Sequence, residues 1–166
     1  SKIDRVAMRT LCITSLVGFM VAMEITIISV AREDMAAAFP SASAATLSWT
    51  ITAYNIGVAS LLLPAGWLAD RYGRKRIFLW GLATFLIGSL LSGVAPTSGL
   101  LIAARVLQSI GGAAQFPAGL ALLLMAVPAE RRQSAIGIWA AVSGLAAALA
   151  PSVGALLVDV FGWRAV

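Results

Sequence analysis

The apolar residues of this chain fall into five long runs, 10–30, 47–68, 77–94, 100–127 and 135–158, separated by short polar segments. Crossing the hydrocarbon core of a bilayer as a helix takes about 20 apolar residues, and each run is close to that length or longer. None alternates apolar with polar positions at period two, and all exceed the about ten residues of a strand in a membrane barrel. The pattern therefore predicts an all-α membrane protein with five spanning helices. Their connections are short: about sixteen residues around Phe39, Pro40 and Ser41, then 69–76, 95–99 and 128–134. Short links favour antiparallel neighbours in a compact bundle and leave no room for a soluble domain.

Composition agrees. The chain is 60% hydrophobic and 11% charged, with a mean hydropathy of +0.94, whereas a soluble domain carries about 25% charged residues. The first run is too long for a signal peptide and no small-residue cleavage site follows it, so it reads as a retained helix. The only cysteine is Cys12 and histidine is absent. Neither a disulfide nor a thiolate metal site can be built within the chain, no metal or organic cofactor is expected, and Cys12 reads as a small packing residue. Proton handling near neutral pH would have to rest on carboxylates. Catalysis is not expected, because no nucleophile has an evident base.

The net charge of +5 would fit a nucleic-acid partner, but the placement of the basic residues argues against one. Alternating sides along the chain, Lys2, Arg5, Arg9, Arg71, Arg74, Lys75, Arg76, Arg131 and Arg132 fall on one side and only Arg32 and Arg164 on the other. Basic residues concentrate on the cytoplasmic side of membrane proteins, so the N-terminus is expected in the cytoplasm. Indole rings favour the interface, and Trp49, Trp67, Trp80, Trp139 and Trp163 all fall near the ends of runs.

Between the second and third runs lies Gly66-Trp67-Leu68-Ala69-Asp70-Arg71-Tyr72-Gly73-Arg74-Lys75-Arg76. Gly66 would let one helix approach another, Gly73 would permit a tight turn, and the basic side chains would hold the segment at the inner face. Asp70 is a carboxylate among arginines, placed to form charge-assisted hydrogen bonds. The segment closely resembles the signature loop of the major facilitator superfamily, G-x-L-A-D-R-x-G-R-K. The resemblance implies an N-terminal bundle of a secondary transporter in a plasma membrane, the bacterial inner membrane. It also implies a conformational lock to which Gly66, Asp70, Arg71, Gly73, Arg74 and Lys75 belong, with Asp70 and Arg74 as its acting pair.

Further segments resemble the drug:proton antiporter branch, and multidrug efflux proteins of the fourteen-helix type among them. Trp49 to Tyr54 resembles the start of the second helix. Arg105, Gln108, Gly111 and Ala113 fit R-x-x-Q-G-x-G-x-A, with Ser109 replacing a glycine, and Pro117 also fits. The segment from Glu24 to Ala31 is similar to L-D-x-T-V-V-N-V-A-L-P, with Glu24 for the aspartate and Arg32 where L-P would begin. In the fifth run, Pro151 and Gly154 match G-x-x-x-G-P-x-x-G-G, while Ala150 and Ala155 replace glycines.

Two ionisable residues, Glu24 and Arg105, lie inside spans, where a charge is costly and a functional role is the default reading. At a rise of about 1.5 Å per residue both sit about 8 to 9 Å below the outer boundary, so they can meet. The expectation is that Glu24 carries a transported proton, that Arg105 tunes its pKa, and that protonation of Glu24 releases Arg105; Gln108, one turn along, would extend the network. A permanent structural ion pair is the alternative. In the fifth run Gly137, Ala141, Gly144, Ala148, Pro151 and Ala155 form a face of small residues suited to close packing in lipid, and Pro151 should kink the helix. Gly144, Pro151 and Gly154 are the candidates for the antiporter motif, and packing without directional meaning is the alternative. Met20, Met23, Tyr54, Asn55, Gln115 and Phe116 could border a substrate cavity or be ordinary helix packing.

The expected function is proton-coupled export of lipophilic or cationic small molecules, as in multidrug or antibiotic efflux, by alternating access and driven by the proton gradient. A metabolite, sugar or lipid transporter of the same superfamily is an alternative, and a non-transporting membrane sensor or assembly partner is another. Five helices are an odd number for folds built from paired repeats, so residues 1–166 are expected to be a partial N-terminal bundle lacking helix 6 and the C-terminal half. The expected partners are the lipid bilayer, a small-molecule substrate and that missing half.

Overall fold

A computed structural model of the chain describes residues 2–165. Five helices long and apolar enough to cross a membrane occupy the five apolar runs. They are α1 (Lys2–Ile27), α3 (Ala44–Tyr72), α4 (Arg74–Gly93), α5 (Ser98–Ala126) and α6 (Arg132–Phe161), with a short α2 (Arg32–Ala38) after the first. No strand occurs among the described residues. Helix is the economical answer in lipid because it satisfies every backbone N–H and C=O within the segment.

The helices outrun their apolar cores. The link expected over 69–76 is a single residue: α3 continues through Tyr72, α4 starts at Arg74, and Gly73 between them has φ +101°. Such a φ suits glycine, and charged side chains on the flanking turns reach water while their backbone stays helical. The link expected around Phe39 contains α2, which buries Met35 while Glu33 and Asp34 remain exposed. Ser43 caps α3 by accepting from the Thr46 amide at 3.1 Å, and Thr97 caps α5 by accepting from the Leu100 amide at 3.3 Å. Pro64, Pro117 and Pro151 all lie inside unbroken helices.

Helix α5 is the hub, touching α1, α3, α4 and α6, and α6 lies mainly along α1. Missing side chains bring the backbones together. A Cβ on Gly88 would lie 2.7 Å from backbone and Cβ atoms of Gln108, and one on Gly111 would meet the backbone of Gly81 and Phe85, which seats α4 on α5. A Cβ on Gly57 would collide with the Ser109 side chain, which seats α3 on α5. Small residues at such crossings allow the close van der Waals contact that holds helices together in lipid.

Two side-chain expectations are corrected. Gly66 does not mark a tight crossing, since a Cβ there would stand 3.9 Å from Pro117, an ordinary contact. Cys12 is exposed on α1 instead of packed inside. Of the tryptophans, Trp49, Trp67 and Trp80 are exposed, and Trp139 and Trp163 are buried. Trp139 donates from Nε1 to the Thr14 carbonyl at 3.1 Å and meets Phe116 at a tilt of 58°, with ring centres 4.8 Å apart. The small-residue face of α6 is turned away from the other described helices: Gly137, Ala141, Gly144, Ala148, Pro151 and Ala155 are all exposed. The helix packs through Ala135, Trp139, Ala146, Ala150 and Gly154 instead.

Candidate functional site

Glu24 lies one turn before the end of α1, and Arg105 two turns into α5. The bundle brings them into a direct ion pair, Arg105 Nη1 to Glu24 Oε1, with Arg105 1% and Glu24 13% exposed. The matching depths foresaw this meeting. Its surroundings were less predictable. Arg105 Nη1 also donates to Gln108 Oε1 at 2.8 Å, and Arg105 Nε donates to the backbone carbonyl of Thr50 on α3 at 3.1 Å. The guanidinium carbon stands 4.4 Å from the ring centre of Tyr54, which is fully buried. One cation is therefore met by a carboxylate, an amide oxygen, a carbonyl and an aromatic face, all through Nε, Nη1 and the guanidinium carbon, while its buried Nη2 has no hydrogen-bond partner.

Close helix crossings make this burial possible. Arg105 shares a face of α5 with Gln108 and Gly112, and a Cβ on Gly112 would stand 3.0 Å from the Tyr54 hydroxyl. The sequence reasoning missed Thr50 and gave Tyr54 a different part. A signal was present: Thr50 and Tyr54 are one turn apart on the second run, just below Trp49, at the depth where Arg105 enters.

One turn beyond the ion pair, away from Asp70, lies an apolar layer at the end of the bundle. Ile28 follows Glu24, Leu47 precedes Thr50, and Leu101 precedes Arg105, each by about one turn. These three cluster with Ala31, Met35, Phe39, Ala95 and Trp163. Phe39 and Trp163 meet edge to face at 5.5 Å. The short helix α2 contributes Met35 to this layer, and Ala31 and Phe39 join it from the two ends of that helix.

At the opposite end, Asp70 Oδ1 accepts from Arg74 Nε at 3.0 Å and from Nη2 at 2.9 Å. Both side chains are well exposed, at 66% and 37%, where an ion pair contributes about 0–1 kcal/mol. Arg71 lies over Trp67 at 5.2 Å and near Tyr72 at 5.7 Å. Lys75 and Arg76 join Asp70, Gly73 and Arg74 around a broad groove of about 1020 Å³ with an apolar floor of Leu79, Leu122 and Met125.

The remaining candidates divide. Met20, Phe116 and Tyr54 pack in one cluster with Val21, Val58 and Phe85. Met23 is half-buried and Asn55 exposed. Gln115 is buried with neither amide atom hydrogen-bonded. On α6, Gly154 lies against α1, where a Cβ would stand 2.8 Å from Ile27, whereas Gly144 faces open space and Pro151 is exposed.

Comparison with known proteins adds the following. The family model described as Major Facilitator Superfamily matches residues 14–166. Multidrug resistance protein Stp of Mycobacterium tuberculosis is 37% identical over 164 residues, covering 98% of this chain and 30% of that protein. Methylenomycin A resistance protein of Streptomyces coelicolor is 37% identical over 151 residues, 90% of this chain and 32% of that protein. Drug efflux pump JefA of Mycobacterium tuberculosis is 35% identical over 158 residues, 95% of this chain and 31% of that protein. The chain thus spans less than a third of the length of these relatives.

Proposed function

The chain belongs to the major facilitator superfamily, and on that premise we propose that it is the N-terminal part of a proton-coupled transporter exporting lipophilic or cationic small molecules by alternating access. Relatives named for multidrug resistance, methylenomycin A resistance and drug efflux support export. Their greater length supports a second bundle that completes the transport path. In this reading the N-terminus is cytoplasmic, the membrane is a bacterial plasma membrane, and Asp70 and Arg74 work on the inner face as part of a lock between halves. The outward small-residue face of α6, with Gly144 and Pro151, packs against the other half. Met20, Met23, Tyr54, Asn55, Gln115 and Phe116 border the substrate path from this side.

The buried Glu24–Arg105 pair carries the proposal. An ionisable carboxylate inside a span is costly and marks a functional site by default, and here it is paired directly with a permanent cation on another helix. Gln108 extends the network through the same guanidinium nitrogen.

The test is Glu24→Gln in the complete transporter, in vesicles carrying an imposed pH gradient. Gradient-driven substrate movement should fall to background while substrate binding and thermal stability persist. Full proton-coupled transport in that variant would overturn the role of Glu24.

A further inference from the structure

Arg105 is held unequally by the elements around it. Its ion-pair partner Glu24 comes from α1, but its other three contacts come from α3 and α5. Those contacts are the Thr50 carbonyl at 3.1 Å, the Gln108 amide oxygen at 2.8 Å and the Tyr54 ring at 4.4 Å. Helices α3 and α5 are themselves interlocked, with Ser109 against Gly57 and the Tyr54 hydroxyl against Gly112. Glu24 sits one turn from the end of α1 and is the more exposed of the pair.

Neutralising Glu24 would therefore not leave Arg105 without company. A guanidinium keeps its charge under all ordinary conditions; its Nε and Nη1 would still have an oxygen acceptor each and its carbon the negative face of an aromatic ring, with Nη2 unpaired as before. The Tyr54 hydroxyl has no hydrogen-bond partner, so what Tyr54 gives Arg105 is its ring face.

We infer that Tyr54 is a positioning residue: with the Thr50 carbonyl and Gln108 it holds Arg105 stationary, so that protonation of Glu24 frees the outer end of α1 and not the arginine. This rests on Glu24 being the group that changes protonation, and it reverses the expectation that Arg105 is the member released. The arginine is then a fixed post on the α3–α5 pair, and α1 is the element that moves against it.

The test reads Arg105 directly, in the full chain in lipid nanodiscs. Its Nε–Hε resonance is assigned by its loss in Arg105→Lys. Hydrogen exchange at that site and the ring-current shift of its δ-methylene protons are then measured in four proteins: wild type, Glu24→Gln, and Glu24→Gln combined with Tyr54→Phe or with Tyr54→Met. Methionine fills the space without a π face. Glu24→Gln and its Tyr54→Phe derivative should keep Arg105 protected within about twofold of wild type, while the Tyr54→Met derivative should exchange about tenfold faster or more. Loss of protection in Glu24→Gln alone, or full protection in the Tyr54→Met derivative, would overturn the inference. If the Tyr54→Met protein does not fold, Tyr54→Leu in the same Glu24→Gln background replaces it, with the same loss of protection expected and full protection again overturning the inference. Transport is a separate readout: coupled transport surviving in Glu24→Gln would sink the proton-carrying role, whereas a mobile Arg105 in that variant would sink only the stationary post.

Discussion

At the residue scale, Gly88 connects bundle packing most directly to the buried pair. A Cβ there would lie 2.7 Å from the backbone nitrogen, Cα and Cβ of Gln108. None of these atoms is the end of a flexible chain, so α4 and α5 would have to part. Gly88→Ala should cost about 1–3 kcal/mol, as overpacking does, and thermal unfolding in detergent should register it as a lower midpoint. Because Gln108 receives Arg105 Nη1, the same variant should also disturb the environment of Arg105. An unchanged midpoint together with an unchanged Arg105 resonance would disprove that coupling. The meeting of Glu24 with Arg105 was legible in the sequence, because depth in a membrane can be counted from helix ends. The aromatic face over Arg105 was not, because it depends on how far α3 is rotated about its own axis.

At the scale of elements, α6 has two faces with opposite tolerances. Gly154 lies against Ile27 of α1, with a Cβ position 2.8 Å from the Ile27 side chain and 3.4 Å from its carbonyl oxygen. Gly144 has no neighbour within 4 Å. Gly154→Leu should therefore destabilise the chain by about 1–3 kcal/mol, whereas Gly144→Leu should change its stability by no more than about 0.5 kcal/mol. Thermal denaturation of the two variants side by side checks this, and equal losses would show that the exposed face is already occupied. In the complete transporter Gly144→Leu should lower transport without lowering expression, since that face is proposed to meet the other half. The existence of α6 was plain from hydropathy. Which of its small residues face α1 was not, because glycines and alanines lie around much of the helix.

At the scale of the whole molecule, the basic residues predict a definite orientation that labelling can measure. In a Cys12→Ser background, cysteines placed at two exposed sites, Ser41 beyond α2 and Ala129 before α6, should behave oppositely. A membrane-impermeant maleimide added to intact cells should label Ser41→Cys, and should reach Ala129→Cys only after permeabilisation. The reverse pattern would place the N-terminus outside. The sequence alone determined the number of spans, their approximate ends, the charge bias across the membrane and the loop that resembles a transporter family. These are one-dimensional properties, set by run length, charge and local motif. The tertiary structure alone decided which face of each helix turns inward. It put Tyr54 beneath Arg105, buried Trp139 against Thr14, turned the small-residue face of α6 outward and reduced the link between α3 and α4 to Gly73. The reason lies in the solvent. Lipid is as apolar as the interior of the bundle, so hydropathy does not separate the buried side of a spanning helix from the exposed one. Rotation about each helix axis is fixed instead by where glycine and serine let another backbone come close, a contact between residues far apart in the chain.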